Sequence, residues 1–168
     1  MIIDKILLLK INFVEKFGIF LVFFLTFFES IPPIGLVIPG ALISFIGGFF
    51  ARIGLLELLF VMSASILGAI LGDLAGYLLG RYFQKEFLHK FGEYFFIKKE
   101  QIERIGQLVC NHTGKSLIIG RLNPVTRVFA PFFAGAHKIQ FGKFMAFNII
   151  GGILYGFLFV SLGYIFGQ

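Results

Sequence analysis

Hydrophobic residues dominate four stretches of this chain, beginning at Phe17, Ser30, Arg52 and Phe144, and most of the charge falls between or ahead of them. The first sixteen residues set Ile2, Ile3, Ile6, Leu7, Leu9, Phe13 and Val14 largely on one side, with lysines elsewhere. That pattern predicts a short helix lying in a membrane interface. No small-x-small cleavage site follows the apolar run Phe17–Phe28, so it reads as a retained lead-in to a membrane helix. The helix from Phe17 runs into Glu29-Ser30-Ile31-Pro32-Pro33, where proline must end or kink it. From Ser30 to Ala51 no charge appears, yet Pro32, Pro33, Gly35, Pro39 and Gly40 interrupt the run. This predicts a re-entrant hairpin and not a straight span.

From Arg52 to about Leu79 the chain is long enough for a membrane helix, which needs roughly 20 residues. Ala64, Gly68, Gly72, Gly76 and Gly80 stand four apart, on one helical face where another backbone can approach closely. Glu57 can snorkel to the interface, whereas Asp73 sits beside the small-residue face and is expected to point inward. Arg81 to Lys115 is the extended polar region. Phe83, Phe87 and Phe91, then Ile102, Ile105 and Val109, predict two amphipathic interfacial helices there, with a turn at Asn111–Gly114.

Gly120 to Gly135 is the anomaly. Flanked by apolar sequence, it carries Arg121, Arg127, Pro124 and Pro131. Arginine near the bilayer centre costs at least ~2.5–3.5 kcal/mol on insertion scales, and proline breaks the helix that a plain span requires. Non-helical backbone at that depth survives only where protein buries it or where it lines a wet cavity. A second re-entrant element is therefore expected. After a basic turn over His137–Lys143, an uncharged span closes the chain, with Asn148 and the glycines Gly151, Gly152, Gly156 and Gly163.

The two interrupted segments look like copies of each other. A shift of 92 residues sets Glu29 on Arg121, Pro32 on Pro124 and Pro39 on Pro131. Paired interrupted segments of opposite topology point to a transporter site near the membrane midplane. The shift also sets Glu29 opposite Arg121, so these two are expected to pair across a pseudo-twofold axis. Arg127 is then left to meet a substrate.

Composition narrows the class. With 58% hydrophobic and 14% charged residues and a mean hydropathy of +0.92, the chain is an all-α membrane protein of one domain. The net charge of +6 fits cytoplasmic segments facing anionic lipid, not nucleic acid. It places the N-terminus and residues 81–115 in the cytoplasm, with the first helix and the Arg52–Leu79 span as an out-and-back pair. The domain divides into a lead-in (1–16), a first hairpin half (17–80), a cytoplasmic segment (81–115) and a second hairpin half (116–168). The single Cys110 excludes an intrachain disulfide and a cysteine metal cluster, and His89, His112 and His137 show no ligand spacing. No metal and no cofactor are expected. Nor is an enzyme, since no serine, cysteine or histidine is visibly paired as nucleophile and base.

Four ionisable groups remain without an easy snorkelling route: Glu29, Asp73, Arg121 and Arg127. As structural ion pairs they would hold the broken hairpins in register. As a functional site, Arg121 and Arg127 would grip an anionic head group through paired donors, while Glu29 and Asp73 take up a coupling proton or cation. Pro32, Pro39, Gly40, Pro124, Pro131, Gly135 and Asn148 would shape the hairpins.

These residues resemble the DedA family, which carries the VTT or SNARE-associated domain. Its pattern stands here as Arg121, Pro124, Arg127, Pro131, Ala134-Gly135, Lys138, Phe144, Asn148 and Gly151. Upstream, Glu29 with Pro32-Pro33 and Pro39-Gly40 is similar to the family's first hairpin, and Gly68 through Gly72-Asp73 and Gly76-Tyr77 to Gly80-Arg81 to its Gly-Asp helix. The resemblance implies lipid translocation across a bacterial cytoplasmic membrane, with undecaprenyl phosphate or a phospholipid as cargo and ion coupling as an option. Homo-oligomers are compatible with it. Two departures stand out. Ala41 occupies a place near the first Pro-Gly where members usually carry an acidic or hydroxyl residue. The sequence also ends soon after Gly163-Tyr164-Ile165-Phe166-Gly167, where many relatives continue into a helix that a partner could supply. A non-transporting scaffold and a small-ion or solute transporter are the competing readings.

Overall fold

The computed structural model describes residues 17–32, 34–94 and 99–167, all of whose regular structure is helical. The expected interfacial helix over residues 1–16 lies outside the described residues, as do the side chains of Phe87 and Phe91. Helix α1 is described over Phe17–Glu29. A 3-10 turn at Ile34–Leu36 leads to α2 (Gly40–Arg52), and α3 follows at Leu58–Tyr94. Then come α4 (Lys99–Asn111), α5 (Thr113–Ile118) with a 3-10 turn at Ile119–Leu122, α6 (Pro124–Ala136) and α7 (Phe141–Phe166).

Local sequence accounts for the start of α6. Asn123 caps α6, its side chain accepting from the amides of Val125 (3.0 Å) and Thr126 (3.2 Å), and Pro124 fills the first helical position. Pro131 lies inside α6 instead of breaking it. Lacking an N–H, it deprives the Arg127 carbonyl of its helix bond. The α3 helix runs through Arg81 to Tyr94, so the first half of the expected interfacial pair continues the span. The apolar face of α4 is buried too: Ile105 and Val109 join the core around Phe132 and Phe133 on α6.

Two stretches, Leu58–Phe83 and Phe141–Phe166, are each 26 residues and apolar enough to cross a membrane. They run antiparallel, with Ile70 against Gly152, Ile66 against Gly156, and the Tyr77 and Phe144 rings stacked at 4.3 Å. The helices before them are shorter. Both α2 and α6 have 13 residues, roughly 20 Å at 1.5 Å per residue, against a hydrocarbon core of about 30 Å.

These short helices form two hairpins that point at each other. In the first, α1 and α2 pair antiparallel: Val22 packs on Gly47, Thr26 meets Ser44 at 3.3 Å, and Glu29 meets Gly40. The glycine face of α3 holds α1 in the same direction as itself, with Gly68 against Phe23 and Thr26 and Gly72 against Phe27 and Ser30. Phe17 therefore lies at the Leu58 end of the α3 span, and Arg81 at the other. The first hairpin starts and finishes at the Leu58 end, which corrects the expected out-and-back crossing by α1 and α3. The second hairpin starts at the Arg81 end, where α5 runs beside α7 with Gly114 on Phe147 and Arg121 on Gly151.

A true internal repeat governs the packing, in a register that drifts along the chain. Gly48 faces the Val160 carbonyl and Gly163 faces the Phe45 carbonyl. The same reciprocal contact recurs as Gly135 on the Tyr77 carbonyl and Gly80 on the Phe132 carbonyl. Phe45 and Gly48 thus correspond to Phe132 and Gly135, a shift of 87, and Tyr77 and Gly80 to Val160 and Gly163, a shift of 83. The expected shift of 92 is not the one that these contacts give. The turn between Glu29 and Gly40 is longer than that before Pro124, so Pro39 precedes α2 whereas Pro131 lies inside α6.

Candidate functional site

The two hairpin tips bring Glu29, Asp73, Arg121 and Arg127 together near the middle of the spans, each with less than a tenth of its surface exposed. They form two pairs. At the end of α1, the Glu29 carboxylate meets Arg127 Nη2 at 2.5 Å. It also accepts from the Ala41 amide (3.1 Å) and the Tyr155 hydroxyl (3.0 Å). The Arg127 guanidinium stacks over the Tyr155 ring, 3.9 Å from its centroid. Gly40 is required here because a Cβ would strike the Glu29 carboxylate.

The second pair joins Arg121 to α3 and α7. Arg121 Nη2 donates to Asp73 at 2.5 Å and to the Asn148 side-chain oxygen at 2.7 Å, and Nε donates to the Leu117 carbonyl at 3.2 Å. Asn148 in turn donates to the Ile70 carbonyl at 3.0 Å, fixing its own orientation between the two spans. Arg121 Nη1 is buried without a hydrogen-bond partner among the described residues. Two guanidinium and two carboxylate charges are thus matched in a setting where an unpartnered ion would be costly.

All four expected charged residues are in this cluster, but the expected pairing is exchanged. Glu29 was to meet Arg121 across the repeat axis; it meets Arg127 instead, and Arg121 meets Asp73. The reason is geometric. Arg127 is in the first turn of α6, at the tip opposite the end of α1, whereas Arg121 ends the first arm and faces the groove between α3 and α7. Arg127 is accordingly not left unpartnered.

Accessibility also favours Arg121. A groove of about 170 Å³ runs between the first arm of the second hairpin and α7, lined by Ile118, Ile119, Leu122 and Leu154. Arg121 and Tyr155 stand at its inner wall. Ile119, Leu122 and Leu154 are more than half exposed on the outer flank, so the groove opens sideways.

Three participants escaped the sequence reading. Tyr155 supplies both a hydroxyl and a ring, and the only signal was a phenol in an otherwise uncharged span. Ser44 bridges Thr26 and Ser65 (2.8 Å to the latter), continuing a buried polar seam beside the first pair. At Ala41 the backbone amide holds Glu29, a role that no side chain advertises. Asn148, expected to shape a hairpin, is instead a direct partner of Arg121. Among the described residues no group of three His, Cys, Asp or Glu side chains could hold a metal ion.

The model of the VTT domain matches residues 38–165. An uncharacterized membrane protein of Synechocystis is 34% identical over 134 residues, covering 80% of this chain and 62% of that protein. The chain thus matches less than two thirds of that relative's length. Protein DedA of Escherichia coli K12 is 29% identical over 174 residues, covering 99% of this chain and 79% of its own length. The uncharacterized membrane protein YbfM of Bacillus subtilis is 28% identical over 80% of this chain and 83% of its own. No solved structure matches.

Proposed function

This chain belongs to the DedA family of VTT-domain membrane proteins, and we propose that it is a flippase for a lipid with a phosphate head group. The cargo class is a phospholipid or a polyprenyl phosphate such as undecaprenyl phosphate, carried across the bacterial cytoplasmic membrane by binding and release without catalysis. In this reading the two hairpins are re-entrant, the first entering from outside and the second from the cytoplasm. The observation that carries it is the sideways-opening groove that ends on Arg121. An apolar wall suits acyl or prenyl chains, and the free Nη1 of the guanidinium can grip a phosphate oxygen.

Charge matching suggests why coupling would be needed. The cluster is balanced, so a phosphate that competes for Arg121 leaves Asp73 with an uncompensated charge. A proton or cation taken up at Asp73, or at Glu29 beside it, would restore the balance.

The test is reconstitution in liposomes with fluorescent phospholipid or with undecaprenyl phosphate, scoring movement between leaflets. Arg121→Lys keeps the charge that Asp73 needs but loses the planar fork. It is expected to slow translocation at least about tenfold, with the melting temperature little changed. Undiminished translocation in that variant would remove Arg121 from the site. One observation favours a scaffold instead: both arginines are already held by carboxylates. A scaffold predicts no lipid movement by the wild type.

A further inference from the structure

A second cavity lies at the Arg81 end of the bundle, beside the start of the second hairpin. It measures about 430 Å³ and is walled by Asn111, His112, Thr113, Lys115, Lys143 and Phe147 among others. Among the described residues that line it none carries a carboxylate, and Lys115 and Lys143 are both exposed. Gly114 keeps the floor open to Phe147, because a Cβ there would collide with the ring. Ile118 and Ile119 belong both to this cleft and to the groove that ends on Arg121. The two spaces therefore adjoin along the outer flank of α5. From Thr113 to Arg121 the chain rises about 12 Å at helical pitch.

We propose that this basic cleft is a loading site, where the phosphate of a lipid in the adjacent leaflet is held before moving along the Ile118–Ile119 wall to Arg121. The inference rests on the lipid-carrying reading above. Its content is separate: a surface site, formed by residues outside the buried cluster, that selects for an anionic head. Charge complementarity identifies the occupant. Two lysines without a carboxylate favour a phosphate anion, and the apolar wall beside them gives its chains somewhere to lie. The order of the residues along α5 then gives the cargo a direction, from the leaflet at that end toward the hairpin tips.

Cys110 offers a direct readout, being the only cysteine in the chain and exposed next to Asn111. The full-length protein, labelled there with a fluorophore, is placed in nanodiscs containing nitroxide-tagged phosphatidic acid or nitroxide-tagged diacylglycerol. Phosphatidic acid is expected to reach half-quenching at a severalfold lower mole fraction than diacylglycerol. Removing two exposed charges in Lys115→Gln/Lys143→Gln should raise the phosphatidic acid value about three- to tenfold, and Lys115→Arg/Lys143→Arg should keep it near wild type. Equal quenching by both lipids, or a glutamine variant indistinguishable from wild type, overturns the loading site. If translocation in liposomes still depends on Arg121 in that case, the flippase reading stands without it. If the wild type neither prefers phosphatidic acid nor moves any lipid, both fall together.

Discussion

At the scale of single residues, the decisive fact is that each arginine has its own carboxylate. Removing one member of a buried pair leaves the other charge uncompensated and typically costs about 3–5 kcal/mol, whereas removing both costs less. Glu29→Ala and Arg127→Ala are each expected to lower the detergent melting temperature markedly, and the double variant should recover part of the loss. Strict additivity of the two effects would mean that the 2.5 Å contact contributes no coupling. Asn148 is a gentler case. Asn148→Ala removes an acceptor from Arg121 and a donor from the Ile70 carbonyl. It should destabilise by about 1–3 kcal/mol, measured by the same melts, because two buried polar groups lose a partner. The four charges were legible in the sequence because charge in an apolar run is conspicuous. Their pairing was not, since it depends on which turn of α6 faces the end of α1. Backbone donors such as that of Ala41 leave no trace in residue identity at all.

At the scale of elements, glycine carries the packing. The face from Gly68 to Gly80 was readable from its spacing of four, and it does admit neighbouring backbones, first α1 and then α6. What spacing could not tell was the partner at each position, and therefore the register of the repeat. Prolines misled the alignment because the same residue does two jobs: Pro39 stands outside a helix and Pro131 inside one. The reciprocal contacts make a sharper test of the repeat. A Cβ at Gly135 or Gly163 would fall on a backbone carbonyl that belongs to another helix, and backbone cannot swing aside as a side chain can. Gly135→Ala and Gly163→Ala should therefore each cause a clear drop in melting temperature. Gly142, also helical, has nothing within 4 Å of such a Cβ, so Gly142→Ala should be neutral or raise stability by up to about 1 kcal/mol. Equal behaviour of all three variants would dissolve the argument that the two interfaces are equivalent and tight.

At the scale of the whole molecule, the two hairpins approach from opposite ends of an antiparallel pair of spans, and that geometry has a consequence for sidedness. Class followed from composition, but the number of spans and the direction of α1 did not. A thirteen-residue apolar helix can be taken for a crossing until its neighbours are known. Here α1 runs parallel to α3 and turns back at Glu29, so the α2–α3 loop and the α6–α7 loop lie at opposite ends of the bundle. Arg81, Lys115, Lys138 and Lys143 gather at one end and Arg52 stands at the other. The expectation that the N-terminus shares a side with residues 81–115 is corrected, because Phe17 lies at the opposite end from Arg81. On the positive-inside tendency the lysine-rich end is expected on the cytoplasmic side. Single cysteines in a Cys110→Ser background can decide the point. Ile53 is about half exposed and Lys138 lies in the opposite loop. A membrane-impermeant thiol reagent added to intact cells should label Ile53→Cys but not Lys138→Cys, and permeabilisation should make both reactive. Labelling of both from outside would place the two loops on one face. The α2–α3 and α6–α7 connections could then no longer belong to halves inserted in opposite senses, and a site shared between two opposed hairpin tips would lose its structural basis.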